Sequence, residues 1–329
     1  MPDVTLDEIE TTAKQALISH GADERIAASV AHAIRISEAT GNKICGLYYL
    51  ESYCKQLLTG RVKGTVDPVI TKPKAGLVDV DAKFGFAQPA FARGLGTAVA
   101  AAQSQGIATL AIRHAHTCTS LGYFTYQIAE AGLIALGFTN ATAVVAAPGG
   151  KNRILGTNPM AFHVPGRDGV AFGFDQSTSA IALGKITMAA AAGEAIPLGW
   201  AVDPDGNPTT DPKEALKGAL VSTGGYKGWG FGLMVEVLAS ALTDTVASFA
   251  SAPLKTPEGD PHDLGQTYIL IDPQGFAGGA FHTRIDALRA AVEAEEGTRL
   301  PGSHRILANP VALDEAIWEL TQSLANGPA

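Results

Sequence analysis

Four residues able to ligate a metal, move a proton or donate a hydrogen bond stand within five positions of one another. They are His114, His116, Thr117 and Cys118, in the stretch "AIRHAHTCTSLGYF" of a chain with only 8 histidines and 3 cysteines. On a strand, alternate side chains share a face, so His114, His116 and Cys118 would point together and mimic part of a zinc site. Three ligands on one strand rarely wrap an ion and no fourth is evident, so no metal is expected. Two readings stay open. One is a strand end with hydrogen-bonded histidines; the other is a catalytic or cofactor-facing edge, where an imidazole is a useful proton donor for reducing a carbonyl.

Three further polar loops could hold a phosphate-bearing ligand. In "LGTNPMAF", Gly156 allows close backbone approach and Thr157 and Asn158 supply donors, although a tight structural turn has the same composition. In "FDQSTSA", Asp175 ends an apolar strand, and Ser177, Thr178 and Ser179 follow at an expected helix N-terminus. That position favours phosphate, and an ordinary Ser/Thr cap looks the same. In "GGYKGWGFG", Lys227 and Gly228 precede a long apolar helix, where a cation and free amides suit a diphosphate. The glycines could equally serve close helix packing.

The elements that must position these residues alternate between helix and strand. "TLDEIETTAKQALISHG" opens with Thr5 and Glu8 in capping-box spacing and sets Leu6, Ile9, Ala13, Ala16 and Leu17 on one face. A second helix is expected over Asp23–Thr40 and a third through "LYYLESYCKQLLTG". "AGLVDVDAKF" reads as a strand pair or hairpin, "FARGLGTAVAAAQSQG" as a helix, and "IATLAIRHAH" and "LIALGFTNA" as strands flanking the short helix "LGYFTYQIAEAG". The Gly-, Pro- and Asn-rich run from Ala143 to Gly166 predicts loop with short strands. "YKGWGFGLMVEVLASALTD" predicts a long buried helix, "TYILIDPQGF" a strand, and two helices finish the chain. The glycines of "GLGTAV" lack the third member and the preceding strand of a Rossmann fingerprint.

Composition narrows the classes further. The chain has 329 residues, 46% apolar and 17% charged, with a net charge of −8. There is no basic stripe for nucleic acid and no apolar run of roughly 20 residues for a membrane span. The acidic N-terminus is unlike a signal peptide. Cys45, Cys54 and Cys118 make neither a disulfide framework nor a paired-cysteine zinc spacing, so a reduced, cytoplasmic chain is expected.

Taken in order, "FGFAQPA", "IRHAHTCTSLGYF", "PGGKNRILGTNPMAF", "FDQSTSA", "GWAVDPDGNPTTDP" and "GGYKGWGFGLMVEVL" resemble the malate/L-lactate dehydrogenase family that lacks a Rossmann fold. The resemblance covers nearly the whole chain. It implies an α/β fold, with a non-Rossmann cofactor domain on a largely antiparallel sheet and a helical domain built from both chain ends. The implied divisions are a helical domain at 1–72 joined by 285–329, a substrate-side segment at 73–115 and a cofactor domain at 116–284. NADPH, or NADH as the less favoured choice, is the implied cofactor. A small carboxylate is the implied substrate, and a homodimer with its active site near the interface is the implied assembly. His114, Gly122, Thr157, Asn158, Asp175, Ser177, Thr178, Ser179, Lys227 and Gly228 are assigned by the resemblance to the cofactor region. Lys151, Lys185, His304 and Arg305 are further partners to consider for substrate or phosphate.

This sequence departs from the family at the catalytic positions. Where the family typically reads Asp-Ser-His-Gly with an arginine three residues past the glycine, "KICGLYY" places Ile44 and Cys45 in the Ser-His slots and Tyr49 in the arginine slot. The family's acid/base histidine falls on Thr117, one residue after His116. Candidate catalytic residues are therefore His116, Thr117, Cys45 and Tyr49. Ketone reduction builds alkoxide charge and needs an acid or oxyanion donor, whereas a protonated imine already carries its proton. The substitutions favour reduction of a 2-imino acid. A 2-hydroxy acid dehydrogenase using His116 comes second, and a non-catalytic relative that binds cofactor or metabolite third. Without the arginine, a substrate carboxylate has to be held in another way.

Overall fold

A computed structural model describes residues 1–303 and 307–328. The elements are, in chain order, β1 (Asp3–Val4), α1 (Leu6–Ser19), α2 (Glu24–Ala39), α3 (Leu50–Thr59), β2 (Val69–Lys74), β3 (Leu77–Asp81), α4 (Ala87–Gln105) and β4 (Ile107–Ala115). Then come α5 (Leu121–Glu130), β5 (Ile134–Thr139), β6 (Val145–Ala146), β7 (Arg153–Leu155), β8 (Met160–Gly166), β9 (Gly169–Gln176) and α6 (Leu183–Ala192). The rest are β10 (Ala201–Val202), β11 (Pro208–Thr209), α7 (Pro212–Lys217), β12 (Ala219–Leu220), α8 (Tyr226–Ala239), β13 (Leu264–Ile271), α9 (Ala280–Glu293), β14 (Val311–Ala312) and α10 (Glu315–Ala325).

The first helices form where their caps and stripes require. Thr5 Oγ1 accepts from the Glu8 N–H while Glu8 reaches back to the Thr5 N–H, and Asp23 caps α2 through Ile26. Their apolar stripes, with Leu50, Tyr53 and Leu57 of α3, bury one core that also takes in Val311, Leu313, Ile317 and Trp318. The helical body is thus closed by both chain ends, and β1 pairs with β14 across it.

The main sheet has seven strands in the order β2-β3-β4-β13-β5-β8-β9, antiparallel throughout except between β3 and β4. This is the largely antiparallel, non-Rossmann sheet expected. Pro73 is tolerated because β2 lies on the edge. Period-two alternation loads both faces. Tyr268 and Leu270 of β13 face Phe91 of α4 and Phe124 of α5, while Ile269 packs on the other side with Val235 of α8. Because β13 lies between β4 and β5, segments 73–115 and 116–284 meet in this one sheet. A five-stranded sheet, β11-β10-β12-β6-β7, forms a smaller layer with its own core around Ile186, Ile196 and Leu220.

Several local expectations are corrected. The third helix is preceded by 3₁₀ turns at Lys43–Cys45 and Leu47–Tyr49 and begins only at Leu50. "AGLVDVD" is one strand whose hairpin partner lies upstream in "VITKPK". The region of expected loop holds the full strand β8, paired with β9. Helix α8 is not buried all round: Tyr226 is 72% exposed, Phe231 51% and Val237 57%. Its small and branched residues Gly232, Val235 and Ala239 face the protein, leaving the bulky ones outside. Ser177–Ser179 do not start a helix. Ser179 bridges to Ser222 in a β-type contact, the hydroxyls of Ser177 and Ser179 bond locally, and α6 opens only after Ala182.

Candidate active site

The segment 43–49 is fixed from behind by Glu38. The Leu47 N–H donates to Glu38 Oε1 at 2.8 Å, and a Cβ on Gly46 would lie 2.1 Å from that same oxygen. A larger residue there would have to displace the Glu38 carboxylate, and the chain leaves Cys45 and Tyr49 beside Asp175 and Tyr53. Tyr49 stacks on Tyr53 with ring centroids 6.3 Å apart and meets Tyr48 edge-on at 5.1 Å. Burial, reinforced by the Asp175 charge, pushes the Cys45 thiol up to about 12. Burial, with Cys45 and Tyr48 nearby, likewise lifts the Tyr49 phenol to about 12. Both groups keep their protons through the neutral range and act as weak, neutral donors.

Asp175 ends β9 against the first turn of α5. Its Oδ2 accepts the Gly122 N–H at 2.7 Å and lies 3.5 Å from Ser120 Oγ. Solvent reaches the residue, yet protein atoms crowd the carboxyl closely, and that loss of hydration raises its pKa despite these donors. Cys118 is buried, and burial first, then the nearness of Asp175 and Cys45, raises its thiol too. Asp175, Gly122, Cys45, Tyr49 and Cys118 therefore form one cluster. Thr117 is half-buried beside it, its hydroxyl accepting the Thr119 N–H at 3.3 Å. Ile44 reaches Gly184 in the first turn of α6.

The two histidines of the opening stretch do not share a face. Strand β4 stops at Ala115, and His114 takes a left-handed φ of 50° that breaks the alternation. His114 Nδ1 pairs with Asp81 Oδ1 at 3.0 Å, and its ring leans on Phe84. His116 is 1% exposed, with Nε2 2.7 Å from Gln56 Oε1 and its ring among Tyr53, Phe86 and His262. Burial first, then His262 and Arg61, holds its pKa well below the ordinary value near 6.5. No cluster of three or more His, Cys, Asp or Glu residues that could hold a metal exists among the described residues.

The remaining loops differ in what they leave available. Asn158 is fully buried, its amide donating to Gly232 O at 3.2 Å and Glu236 Oε2 at 2.7 Å while its oxygen accepts from Ser248. It pins α8 to the turn before β8, and Thr178 closes the same turn by bonding to the carbonyls of Thr157 and Asn158. The start of α8 is more open. Gly224 and Gly225 both have positive φ, and a Cβ on Gly228 would sit 1.7 Å from the Thr223 carbonyl. Lys227 is exposed in the first turn, which contains no acidic residue. A cation adds unfavourably to the positive end of a helix dipole unless an anion joins it, so this turn fits a diphosphate. Lys185 and Lys151 are exposed, and His304 and Arg305 lie outside the described residues. A cavity of about 410 Å³ lies elsewhere, between α2 and α5 beside His32, Tyr123 and Glu130.

Sequence reasoning missed the segment 251–263, which lies across α3. Gln56 Nε2 donates to the carbonyls of Leu254 at 2.6 Å and Thr256 at 2.9 Å, and Thr59 Oγ1 to that of Pro257 at 2.7 Å. Arg61 bonds the carbonyls of Pro253, Thr256 and Asp260. Lys255 Nζ is thereby brought 2.5 Å from Tyr48 Oη and 3.8 Å from the centroid of the Tyr48 ring. Lys255 and Tyr48 are 207 positions apart, and no local pattern announces their contact.

Residues 4–319 match the family model described as malate/L-lactate dehydrogenase. The chain is 37% identical over 330 residues to a Δ(1)-pyrroline-2-carboxylate reductase of Ancylobacter novellus, covering 98% of this chain and 97% of that one. It is 37% identical over 302 residues to a (2R)-3-sulfolactate dehydrogenase (NADP(+)) of Chromohalobacter salexigens, covering 92% and 90% respectively. The solved structure of Δ1-piperideine-2-carboxylate reductase from Pseudomonas syringae pv. tomato superposes with a TM-score of 0.91 at 34% identity, covering 98% of this chain and 100% of that one.

Proposed function

The chain belongs to the malate/L-lactate dehydrogenase family and is a nicotinamide-dependent oxidoreductase, and from that premise we propose that it reduces a cyclic 2-imino acid of the Δ1-pyrroline-2-carboxylate class. The observation that carries this reading is the chemistry of the segment 43–49. Ile44 offers no proton, and Cys45 and Tyr49, each with a pKa of about 12, give theirs up reluctantly. A ketone undergoing hydride attack needs charge neutralised at oxygen; a protonated imine becomes a neutral amine and needs no such help. The names of relatives at 33–37% identity point the same way.

The α8 turn with Lys227 and Gly228, together with the Gly122–Asp175 edge, is the region suited to the cofactor. Bound there, the reduced nicotinamide supplies the hydride. Asp175 and Ser120 fix the α5 N-terminus, and Tyr49 and Cys45 supply neutral hydrogen bonds without shedding a proton. NADPH is the favoured cofactor, in keeping with the relative named for NADP(+). The exposed apolar residues of α8 suit a homodimer interface, and three unpaired cysteines suit a reducing compartment such as the cytoplasm.

The test follows NADPH and NADH oxidation with Δ1-pyrroline-2-carboxylate and Δ1-piperideine-2-carboxylate, and separately with pyruvate, oxaloacetate and sulfopyruvate. Turnover of imines with little or none of the oxo acids is the expected result. The reverse pattern would sink the reading in favour of a 2-hydroxy acid dehydrogenase, which the sulfolactate dehydrogenase relative keeps as the second possibility.

A further inference from the structure

The segment 43–49 presents no positive charge inward. Lys43 Nζ bonds the Ala312 carbonyl at 3.1 Å, on the β14 side, and Tyr49 carries none. A carboxylate drawn out of water needs a charge-assisted donor, and an ammonium held by neutral partners is well suited because nothing has already cancelled its charge. Lys255 meets that description. Its Nζ donates to Tyr48 Oη at 2.5 Å and lies 3.8 Å from the Tyr48 ring centroid and 5.6 Å from that of Tyr49. Among the described residues no carboxylate forms an ion pair with it. Both rings attract a cation through their faces without neutralising it.

Its backbone is fixed as well. Gln56 grips the carbonyls on either side of it, those of Leu254 and Thr256, and Arg61 also bonds the Thr256 carbonyl. Lysine side chains usually lose much rotamer freedom on binding, and a clamped backbone with an aromatic shelf removes part of that cost in advance. Lys185 follows Gly184, which Ile44 approaches, in the exposed start of α6 with no comparable clamp.

We propose that Lys255 is the residue that holds the substrate carboxylate, its ammonium set over Tyr48 and Tyr49 by the Gln56-clamped segment. This rests on the substrate being a small carboxylate, as proposed above, and applies equally to an imino acid and an oxo acid. The sidedness of Lys255 then orders the site: the carboxylate lies toward Tyr48 and Tyr49, and the reacting carbon toward Cys45 and the Asp175 edge.

The test combines kinetics with binding of an unreactive analogue. In Lys255→Met, KM for Δ1-pyrroline-2-carboxylate should rise about tenfold to a hundredfold, with a much smaller change in kcat and no change in NADPH affinity. Lys255→Arg should recover most of the loss. Calorimetric titration of pyrrole-2-carboxylate into the NADPH complex should show the same weakening in Lys255→Met, while the neutral pyrrole-2-carboxamide should not distinguish the two proteins. An unchanged KM and analogue affinity in Lys255→Met would overturn the assignment, as would finding the loss in Lys185→Met instead. Wild-type protein that turns over neither imino nor oxo acids would overturn the reductase reading but not this assignment, which the titration decides alone. Equal behaviour of wild type and Lys255→Met towards the carboxylate, including no binding by either, overturns it.

Discussion

His116 Nε2 and Gln56 Oε1 lie 2.7 Å apart, and the same glutamine donates its amide to the carbonyls of Leu254 and Thr256. One α3 side chain thus ties the end of β4 to the segment that carries Lys255. Gln56→Leu would take a partner from the Leu254 carbonyl and from His116 Nε2, leaving the Thr256 carbonyl to Arg61 alone, a cost on the order of 2 kcal/mol. The urea midpoint should fall accordingly, and amide exchange should accelerate first across 251–263. A variant with wild-type stability and exchange would show that this clamp contributes little.

The neighbouring imidazole gives a pH prediction. His262 is buried, neither of its ring nitrogens makes a hydrogen bond of normal geometry among the described residues, and its pKa is lowered to about 4. Burial is the main cause and the Arg61 charge the second, with a weak opposing pull from the Leu254 backbone. The unfolded chain, with an ordinary value near 6.5, binds the proton first, so stability is lost as pH falls from about 6.5 to about 4. At pH 5 the loss from this group alone is on the order of 2 kcal/mol. Arg61, Gln56, Tyr53 and Phe86 face the pair, and none of these carries a negative charge at pH 5 that could compensate. The drop in Tm between pH 7 and pH 5 should be clearly smaller in His262→Leu than in wild type; equal drops would remove His262 as the cause.

Gly122 illustrates a close approach that no helix-forming residue satisfies. Its N–H is 2.7 Å from Asp175 Oδ2, and a Cβ would come within 2.9 Å of Asp175 Cβ. Alanine would gain about 1 kcal/mol of helix propensity but push β9 from α5 and loosen the cap, for a net loss of about 1–2 kcal/mol. Weaker NADPH binding should accompany the loss. Gly122→Ala with unchanged Tm and cofactor affinity would count against the tight contact.

The first helices and strands such as β4 and β5 were readable because each obeys a short-range rule. Thr5 and Glu8 announce a capping box and deliver one, and the 2-residue alternation of "IATLAI" survives in β4. What escaped the sequence depends on contacts between distant segments. The left-handed turn at His114 goes together with its pairing with Asp81, and on a regular strand His114 and His116 would have faced the same way. Asn158 reads as a ligand donor until Glu236 and Ser248 are seen to enclose it. Lys255 stands in an unremarkable proline-rich stretch, and only Gln56 and Tyr48 give it meaning. The outer face of α8 looked like core because an apolar helix face that awaits a partner has the composition of a buried one.

The sequence resemblance puts Ile44 and Cys45 in the slots of the family's Ser-His pair, which makes a gain-of-function test possible. Ile44→Ser with Cys45→His would put an imidazole beside Asp175, whose charge already reaches the Cys45 thiol. A positioned general acid is worth roughly a hundredfold or more in carbonyl reduction. The double variant should raise kcat/KM for pyruvate or sulfopyruvate by about that factor, with a far smaller change in imine reduction. No gain with any oxo acid, in a variant that melts like wild type, would show that the missing histidine is not what separates the two substrate classes here.

The exposed face of α8 predicts assembly. Tyr226, Phe231, Val237 and, just beyond the helix, Leu242 are each more than half exposed, at 72%, 51%, 57% and 59%. An apolar surface of that kind is unfavourable in water and marks a contact site. In Phe231→Glu the charge would remain solvated in a single chain, so the fold should survive, but it would be buried unpaired at an interface, at a cost of several kcal/mol. Light scattering after gel filtration should find wild type as a dimer and Phe231→Glu as a monomer with the same far-UV circular dichroism. A dimer that persists in Phe231→Glu at micromolar concentration would move the interface away from α8.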